Sequence, residues 1–207
     1  MGIKAVIWDI GGVLERTEDF TPRRDLAQRL GWEMEPLMDL IFGQLDSYRV
    51  QVGQISYEEH LHNLGQILGQ TRAEVEQTLA DFFAGDCLDT HLVDKIRGLK
   101  KNYATAVLSN YSTTLREKIN HQWQIADAFD QLIISAEVGL KKPDLRIYQL
   151  AVERVGCQAN EVAFIDDALE NVEAARAAGM HAVHFQNPAQ AWGELTALLE
   201  RHAEPSS

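Results

Sequence analysis

The sequence predicts an α/β fold, a doubly wound parallel sheet with a small helical cap domain. Five short apolar segments rich in β-branched residues have the character of buried strands. Strand-like and helix-like segments alternate after about residue 100, as in a Rossmann-like parallel sheet. Roughly ninety residues separate the first two strand-like segments, whereas a crossover needs about a dozen, so an additional domain is expected there.

The strand-like segments each end in polar or turn residues. They comprise residues 3–8, 104–108, 132–134, 162–165 and 181–185. Two helical patterns lie between the later strands: residues 143–155, with Pro143 at the first helical position, and residues 169–178, closed by Gly179 as a C-cap. This alternation predicts that the second half of the chain forms the sheet and its covering helices.

The long segment between the first two strands has a helical pattern throughout. Apolar residues recur at spacings of three and four within residues 24–30, 35–45, 57–68 and 72–83. Ser56 and Thr71 are candidate N-caps, and Glu59 and Glu74 would complete capping boxes. We therefore expect a core domain of residues 1–15 and 86–207 and a cap domain of residues 16–85.

The composition narrows the class of protein. The chain has 207 residues and a formal net charge of −12, which disfavours binding to a nucleic-acid backbone. Its two cysteines are far apart and outside any metal-binding motif, so neither a disulfide framework nor a structural zinc site is expected. The first apolar run, residues 5–8, is too short for a signal peptide or a membrane span. We expect a cytoplasmic protein that binds neither nucleic acid nor membranes; the oligomeric state is not indicated.

Reactive side chains follow the predicted strands, where ligands bind in an open α/β sheet. In chain order they are Asp9, the pair Ser109 and Asn110, the pair Lys141 and Lys142, and the pair Asp166 and Asp167. Carboxylates from separate strands can hold Mg²⁺, which prefers oxygen ligands. A carboxylate beside the metal can attack phosphorus while a lysine neutralises the phosphoryl oxygens, and water then cleaves the aspartyl phosphate.

These segments resemble, in order, the four motifs of the haloacid dehalogenase superfamily. The resemblance covers residues 1–15 and about 86–203, whereas the helical segment resembles the superfamily's cap only in position and character. It implies a Mg²⁺-dependent phosphatase that acts on a small phosphorylated metabolite.

The resemblance also implies roles for individual residues. Asp9 is the expected nucleophile, and the second motif falls on Ser109, followed by Asn110. Lys142 corresponds to the lysine of the third motif, and Asp166 is expected to orient it.

The metal ligands implied by the resemblance are Asp9, Asp167 and the backbone carbonyl of Gly11. Phosphatases of the superfamily usually carry a second aspartate, the general acid and base, two residues after the nucleophile. That position is Gly11 here, so the usual side-chain proton donor is missing, as in some phosphatases of the superfamily. Gly11 and Gly12 would let backbone N–H groups approach a phosphate closely.

Two alternatives remain open. A carbon–halogen hydrolase of the same superfamily also uses an aspartate nucleophile, and the loss of the second acid permits a catalytically weak phosphate-binding member. A phosphonate-cleaving enzyme needs a cap lysine, but no lysine occurs between Lys4 and Lys95. A response-regulator receiver places its acidic residues in a different order.

Few charged residues of the predicted cap are candidates for substrate binding. They are Arg23, Arg24 and Arg49. His60 and His62, two residues apart on a helix, face different directions and do not form a metal site. Lys141, the neighbour of Lys142, is expected to be a solvated loop charge.

Overall fold

The five predicted strands form one parallel sheet in the computed structural model, which describes residues 2–202. The seven strands of the chain are β1 (Ala5–Trp8), β2 (Glu15–Thr17), β3 (Asp86–Leu88), β4 (Ala104–Ser109), β5 (Gln131–Ile134), β6 (Val162–Asp166) and β7 (His181–His184). The main sheet has the order β5-β4-β1-β6-β7. After β1 the chain adds β4 and β5 on one side of this strand, and it later adds β6 and β7 on the other side. The topological switch point therefore lies at β1.

The centre of the sheet is fully buried because helices cover both of its faces. The helices are α1 (Thr21–Leu30), α2 (Met34–Met38), α3 (Leu45–Gln51), α4 (Tyr57–Leu68), α5 (Arg72–Phe82), α6 (Thr90–Leu99), α7 (Thr114–Glu117), α8 (Ser135–Val138), α9 (Leu145–Val155), α10 (Leu169–Ala177) and α11 (Pro188–Arg201). Alternate residues of β1 face opposite sides of the sheet. Val6 and Trp8 pack beneath α6 and α11, whereas Ala5 and Ile7 pack beneath α9 and α10. The doubly wound α/β class predicted from the sequence is confirmed.

Two short strands, β2 and β3, lie at the two ends of the helical segment and connect it to the main sheet. The sequence pattern did not predict them. β2 pairs antiparallel with β3, with Arg16 opposite Cys87 and Thr17 opposite Asp86. Strands of three residues are too short to carry a periodic signal. We refer to residues 18–85, which both strands flank, as the helical insert.

The insert contains five helices rather than the four that the pattern predicted. α4 has the predicted bounds, and α5 ends one residue early. The predicted helix over residues 35–45 divides into α2 and a π-helical stretch, Asp39–Gly43, and Gln44 then adopts an extended backbone before α3 begins. Thr71 and Glu74 form a complete capping box, whereas Ser56 only accepts a hydrogen bond from the Glu59 amide.

The helix expected to begin at Pro143 begins two residues later, so that prediction was wrong. Asp144 is the N-cap of α9 and accepts a hydrogen bond from the Arg146 amide at 2.9 Å. The peptide bond between Lys142 and Pro143 is cis, and Pro143 belongs to the loop that carries Lys142. No helix within residues 2–202 is long and apolar enough to cross a bilayer.

Candidate active site

The residues predicted at the strand ends converge where the sheet meets the helical insert. Asp9 follows β1, Ser109 ends β4 and Asp166 ends β6, so their Cα positions lie at one edge of the sheet. Asp9, Ser109 and Lys142 line a cavity of about 560 Å³ to which both the core and the insert contribute side chains. The switch point of the sheet therefore opens into a partly open cavity of ligand size.

Lys142 lies between two carboxylates at the base of this cavity. Its Nζ is 2.8 Å from Oδ2 of Asp9 and 2.6 Å from Oδ2 of Asp166. The side chain is 1% exposed. Burial by itself would lower the pKa of Lys142, but the two carboxylates outweigh it and hold that pKa above its usual value. The lysine is thus a buried permanent cation beside Asp9.

Asp166 is oriented by its neighbours and is inaccessible. Its Oδ1 accepts hydrogen bonds from the Ala168 amide at 2.8 Å and from Nδ2 of Asn171 at 3.0 Å. Its Oδ2 accepts from Lys142. The carboxylate is fully buried, so it can position Lys142 but cannot reach a substrate. Sequence reasoning missed Asn171, which lies in the first turn of α10 outside any motif.

Asp9 is the carboxylate of this group that faces the cavity. Its Oδ1 accepts a hydrogen bond from the Ile10 amide at 2.7 Å, which fixes the orientation of the group. Burial raises the pKa of Asp9 to about 6, against the opposing effect of the Lys142 charge. Partial loss of hydration beside the cluster and the nearby charge of Asp166 likewise raise the pKa of Asp167, although its side chain is exposed. The cluster thus concentrates more negative charge than Lys142 alone compensates.

The donor set fits a hard divalent cation. One carboxylate oxygen from each of Asp9, Asp166 and Asp167 lies within 4.8 Å of the others. Asp166 is fully buried, whereas Asp9 lines the cavity and Asp167 is exposed. Asp9 and Asp167 are therefore the carboxylates accessible to a cation.

Gly11 and Gly12 follow Asp9 and have different steric environments. A Cβ on Gly12 would lie 2.1 Å from Oδ2 of Asp167, and the φ of Gly12 is +75°. Only glycine therefore lets Asp167 approach this turn. A Cβ on Gly11 would meet nothing within 4 Å, so the space that the usual second aspartate would occupy is open.

Ser109 and Asn110, the residues of the second motif, have different environments. Ser109 is buried at the cavity wall. The side chain of Asn110 instead binds the backbone of Lys142: its Nδ2 donates to the Lys142 carbonyl at 2.9 Å, and its Oδ1 accepts from the Lys142 amide at 2.8 Å. Asn110 therefore positions the lysine loop.

Lys141 is not the solvated charge that we expected. Its Nζ donates to Oε1 of Gln51 in α3 at 2.8 Å and lies 5.1 Å from the centre of the Tyr48 ring. The side chain therefore connects the lysine loop of the core to the helical insert. A local sequence pattern cannot reveal this contact, because its partners lie about ninety residues earlier in the chain.

Of the three arginines proposed for substrate binding, Arg23 alone lines the cavity. It is buried and paired with both carboxylate oxygens of Asp86, at 2.9 and 3.0 Å. Arg24 is exposed, and Arg49 pairs with Asp46. Arg23 thus ties α1 to β3 at the base of the insert.

A doubly wound core with an aspartate cluster at its switch point and a helical insert above it is the architecture of a hydrolytic enzyme. The chain belongs to the haloacid dehalogenase-like hydrolases, whose family model matches residues 3–179. The superfamily expected from the sequence motifs is confirmed.

Individual relatives cover nearly the whole chain. A sesquiterpene phosphatase of Aspergillus oryzae is 30% identical over 95% of this chain and 96% of its own length. The D-ribitol-5-phosphate phosphatase of Bacteroides thetaiotaomicron is 26% identical over 95% of this chain and 98% of its own. A family enzyme of Bacteroides thetaiotaomicron, solved with magnesium and inorganic phosphate, shares the fold with a TM-score of 0.76 at 21% identity, covering 94% of this chain and 99% of its own.

Proposed function

We propose that this hydrolase is a Mg²⁺-dependent phosphatase that cleaves a small phosphorylated metabolite through an aspartyl phosphate on Asp9. The observation that carries the proposal is the position of Lys142, held between Asp9 and Asp166 at 2.8 and 2.6 Å. A buried cation beside a cavity-facing carboxylate suits an anionic substrate, which the net charge of −12 would otherwise repel. The names of the two full-length relatives, both phosphatases, support the same reaction.

The proposed metal ligands are Asp9, Asp167 and the carbonyl of Gly11. When bound, Mg²⁺ would supply positive charge to the phosphoryl oxygens and offset the charge of the carboxylates. The close approach of Asp167 to Gly12 brings its carboxylate to the turn that carries Gly11. The Bacteroides structure with magnesium and phosphate supports this choice of cation.

The proposed chemistry uses the side chains in order. A carboxylate oxygen of Asp9 forms a bond to phosphorus, and the bond from phosphorus to the ester oxygen breaks. Lys142 and the hydroxyl of Ser109 stabilise the charge on the remaining phosphoryl oxygens. Water then attacks the phosphorus, which releases phosphate and restores the Asp9 carboxylate.

The departing ester oxygen needs a proton or must leave as an anion. Because Gly11 has no side chain, the usual acid is missing from the first turn. General acid catalysis is typically worth about 10²–10⁴ in rate. Esters of acidic alcohols, such as phenols, should therefore react faster than esters of simple alcohols.

The helical insert is proposed to act as a cap over residues 1–15 and 86–207 of the core. It supplies many of the side chains that line the cavity, and Lys141 contacts it through Gln51. A cap that closes over the site would exclude bulk water during the first step. Small phosphorylated molecules fit beneath it, whereas a folded phosphoprotein does not.

The function is tested by turnover of p-nitrophenyl phosphate with and without Mg²⁺, together with acid-quench trapping of the acyl phosphate. Asp9→Asn should abolish both turnover and trapping, because the amide is not a nucleophile. The matched control is Asp25→Asn, on the exposed side of α1, which should behave as the parent protein.

The two alternatives give different results in the same experiment. Metal-independent release of halide from a 2-haloacid would establish the dehalogenase instead. Phosphate binding in the presence of Mg²⁺, without turnover of any ester, would establish the catalytically weak phosphate-binding member.

A further inference from the structure

The part of the cavity that the helical insert lines is rich in apolar side chains. Six of them we call the apolar cleft: Phe20, Ile41, Phe42, Val50, Leu79 and Phe83. The insert also lines the cavity with Arg23, Ser47, Gln51, Tyr57 and His60. Phe42 meets Phe83 edge to face, with ring centres 6.1 Å apart. Phe20 and Phe42 remain 50% and 48% exposed, although both face a cavity large enough for a ligand. Their burial requires a ligand or further closure of the insert.

The charged groups around the apolar cleft already have partners within the protein. The pairs are Arg23 with Asp86 at 2.9 Å, Arg16 with Asp89 at 2.9 Å, and Lys118 with Glu15 at 2.9 Å. The neighbouring hydroxyls are used as well. Thr17 donates to Asp86 at 2.7 Å, and Ser47 donates to the Ile41 carbonyl at 2.8 Å. Few polar groups of this wall are therefore available to a ligand.

Three side chains of the insert are exceptions. Nδ1 of His60 is buried and has no hydrogen-bond partner within the described part of the chain. Tyr57 and Gln51 also line the cavity and offer a hydroxyl and an amide N–H, since Lys141 uses only Oε1 of Gln51. These groups can serve a few polar atoms of a ligand, but not every hydroxyl of a sugar or polyol phosphate, which would lose hydrogen bonds to water on entering the cleft.

We propose that the substrate is the phosphate ester of an apolar alcohol, with the phosphate at Asp9 and Lys142 and an extended hydrocarbon group in the apolar cleft. This rests on the proposed phosphatase function. The phosphate end meets charge and the hydrocarbon end meets aromatic and aliphatic side chains, which matches the polarity of the cavity along its length.

A second cavity of about 700 Å³ shares Tyr57, Leu79, Phe83, Tyr111 and Thr114 with the first. The side chains that line only the second cavity are mostly charged or polar: Glu76, Ala80, Glu117, Lys118, His121 and Gln122. The hydrocarbon group is therefore assigned to the apolar cleft of the first cavity and not to the second.

The test is a series of n-alkyl monophosphates of increasing length, used below their micelle-forming concentrations, with sugar and polyol phosphates for comparison. The n-alkyl esters have leaving groups of similar acidity, so differences within that series report binding of the organic group. The hydroxyls of sugars and polyols are somewhat more acidic, which favours their esters, so faster turnover of the alkyl esters would be caused by binding. Each added methylene should raise kcat/KM about two- to fourfold, the upper value corresponding to about 0.8 kcal/mol for full burial. A flat series, or polyol phosphates faster than the longest alkyl ester, would overturn the proposal.

Binding of n-alkylphosphonates, which cannot be hydrolysed, separates this proposal from the phosphatase function. In the presence of Mg²⁺ their Kd should fall two- to fourfold per methylene, roughly, with a negative heat-capacity change. Absence of turnover on every ester would refute the phosphatase, whatever the binding result. Turnover of p-nitrophenyl phosphate with a chain-length-independent Kd would refute only the apolar substrate.

The variant Phe42→Ala tests whether the hydrocarbon group binds in the apolar cleft. Since the Phe42 ring is half exposed, its loss should leave the protein folded while reducing the rise in kcat/KM per methylene. The matched control is Ile67→Ala in α4, which is 54% exposed and lines neither cavity. If Phe42→Ala kept the same chain-length profile as Ile67→Ala, the assignment of the hydrocarbon to this cleft would be wrong.

Discussion

Replacing Lys142 by methionine tests the central feature of the site. The Lys142 side chain is 1% exposed, and its Nζ contacts both Asp9 and Asp166. Methionine keeps the length of the apolar stem but leaves two carboxylates facing each other without a cation. Removing one partner from a buried ion pair typically costs about 3–5 kcal/mol of stability.

We expect a loss near the lower end of that range, because Asp9 can take up a proton when the lysine is gone. A loss of about 3 kcal/mol in a protein of this size corresponds to a fall in Tm of roughly 6–12 °C. Activity should fall further, by at least about 10²-fold, since the lysine would neutralise charge that develops on the phosphoryl oxygens. Urea unfolding in EDTA measures the stability, and p-nitrophenyl phosphate turnover with Mg²⁺ measures the rate.

Two further variants help to interpret the result for Lys142→Met. Lys141→Met removes a neighbouring lysine whose hydrogen bond and aromatic contact are both with the helical insert, so it should lower kcat/KM modestly and leave the chemistry intact. Asp166→Asn in the Lys142→Met background should recover part of the lost stability, because it removes one unpaired charge, but none of the activity. A Lys142→Met protein within tenfold of the parent rate, or as stable as the parent, would refute the reasoning.

Other predictions concern the turn after Asp9 and the metal. Gly11→Asp has open space for its Cβ and should increase the rate of alkyl phosphate turnover by up to about 10²–10⁴-fold. An equal gain in Gly11→Asn would exclude general acid catalysis as the cause. Gly12→Ala should raise the Mg²⁺ concentration needed for half-maximal rate, since its Cβ would displace Asp167; an unchanged requirement would contradict this. Asp167→Ala should show the same defect, partly rescued by excess Mg²⁺. Asp9, with a folded-state pKa of about 6 against 3.8, binds its proton more tightly when folded, so its contribution to metal-free stability should fall as pH rises from about 4 to 6. In urea unfolding with EDTA, the stability of the parent relative to Asp9→Asn should fall over this range, and an unchanged difference would contradict the argument.

The strands of the main sheet and the longer helices of the insert were predictable because their signals are local. A buried strand is a short run of apolar residues, and a capped helix such as α4 has periodic apolar positions and a marked N-terminus. The elements that were missed have weak local signals. β2 and β3 are three residues each, and α3 follows a π-helical stretch that interrupts the pattern.

The residues of the site likewise divide into those that could be predicted from the sequence and those that could not. Asp9, Lys142 and Asp166 could be selected from the sequence because each follows a recognisable strand and because parallel strands end at one edge of a sheet. Asn171, the Asn110 contact with the Lys142 backbone and the Lys141 contact with the insert could not. Each of these depends on the distance and direction between side chains that are remote in sequence or carry no pattern.

The sequence by itself determined the α/β class, the order of the motifs and the missing acid at Gly11, because these depend on residue type and on local periodicity. Only the tertiary structure decided that Asp167 is exposed beside Gly12 and that Arg23 is paired with Asp86. It also decided that six apolar side chains from separate parts of the insert line the same cavity as Asp9. Burial and pairing arise from packing between segments that are distant in the sequence. The type of an apolar residue alone does not show whether it packs in the core of the insert or lines a ligand cavity.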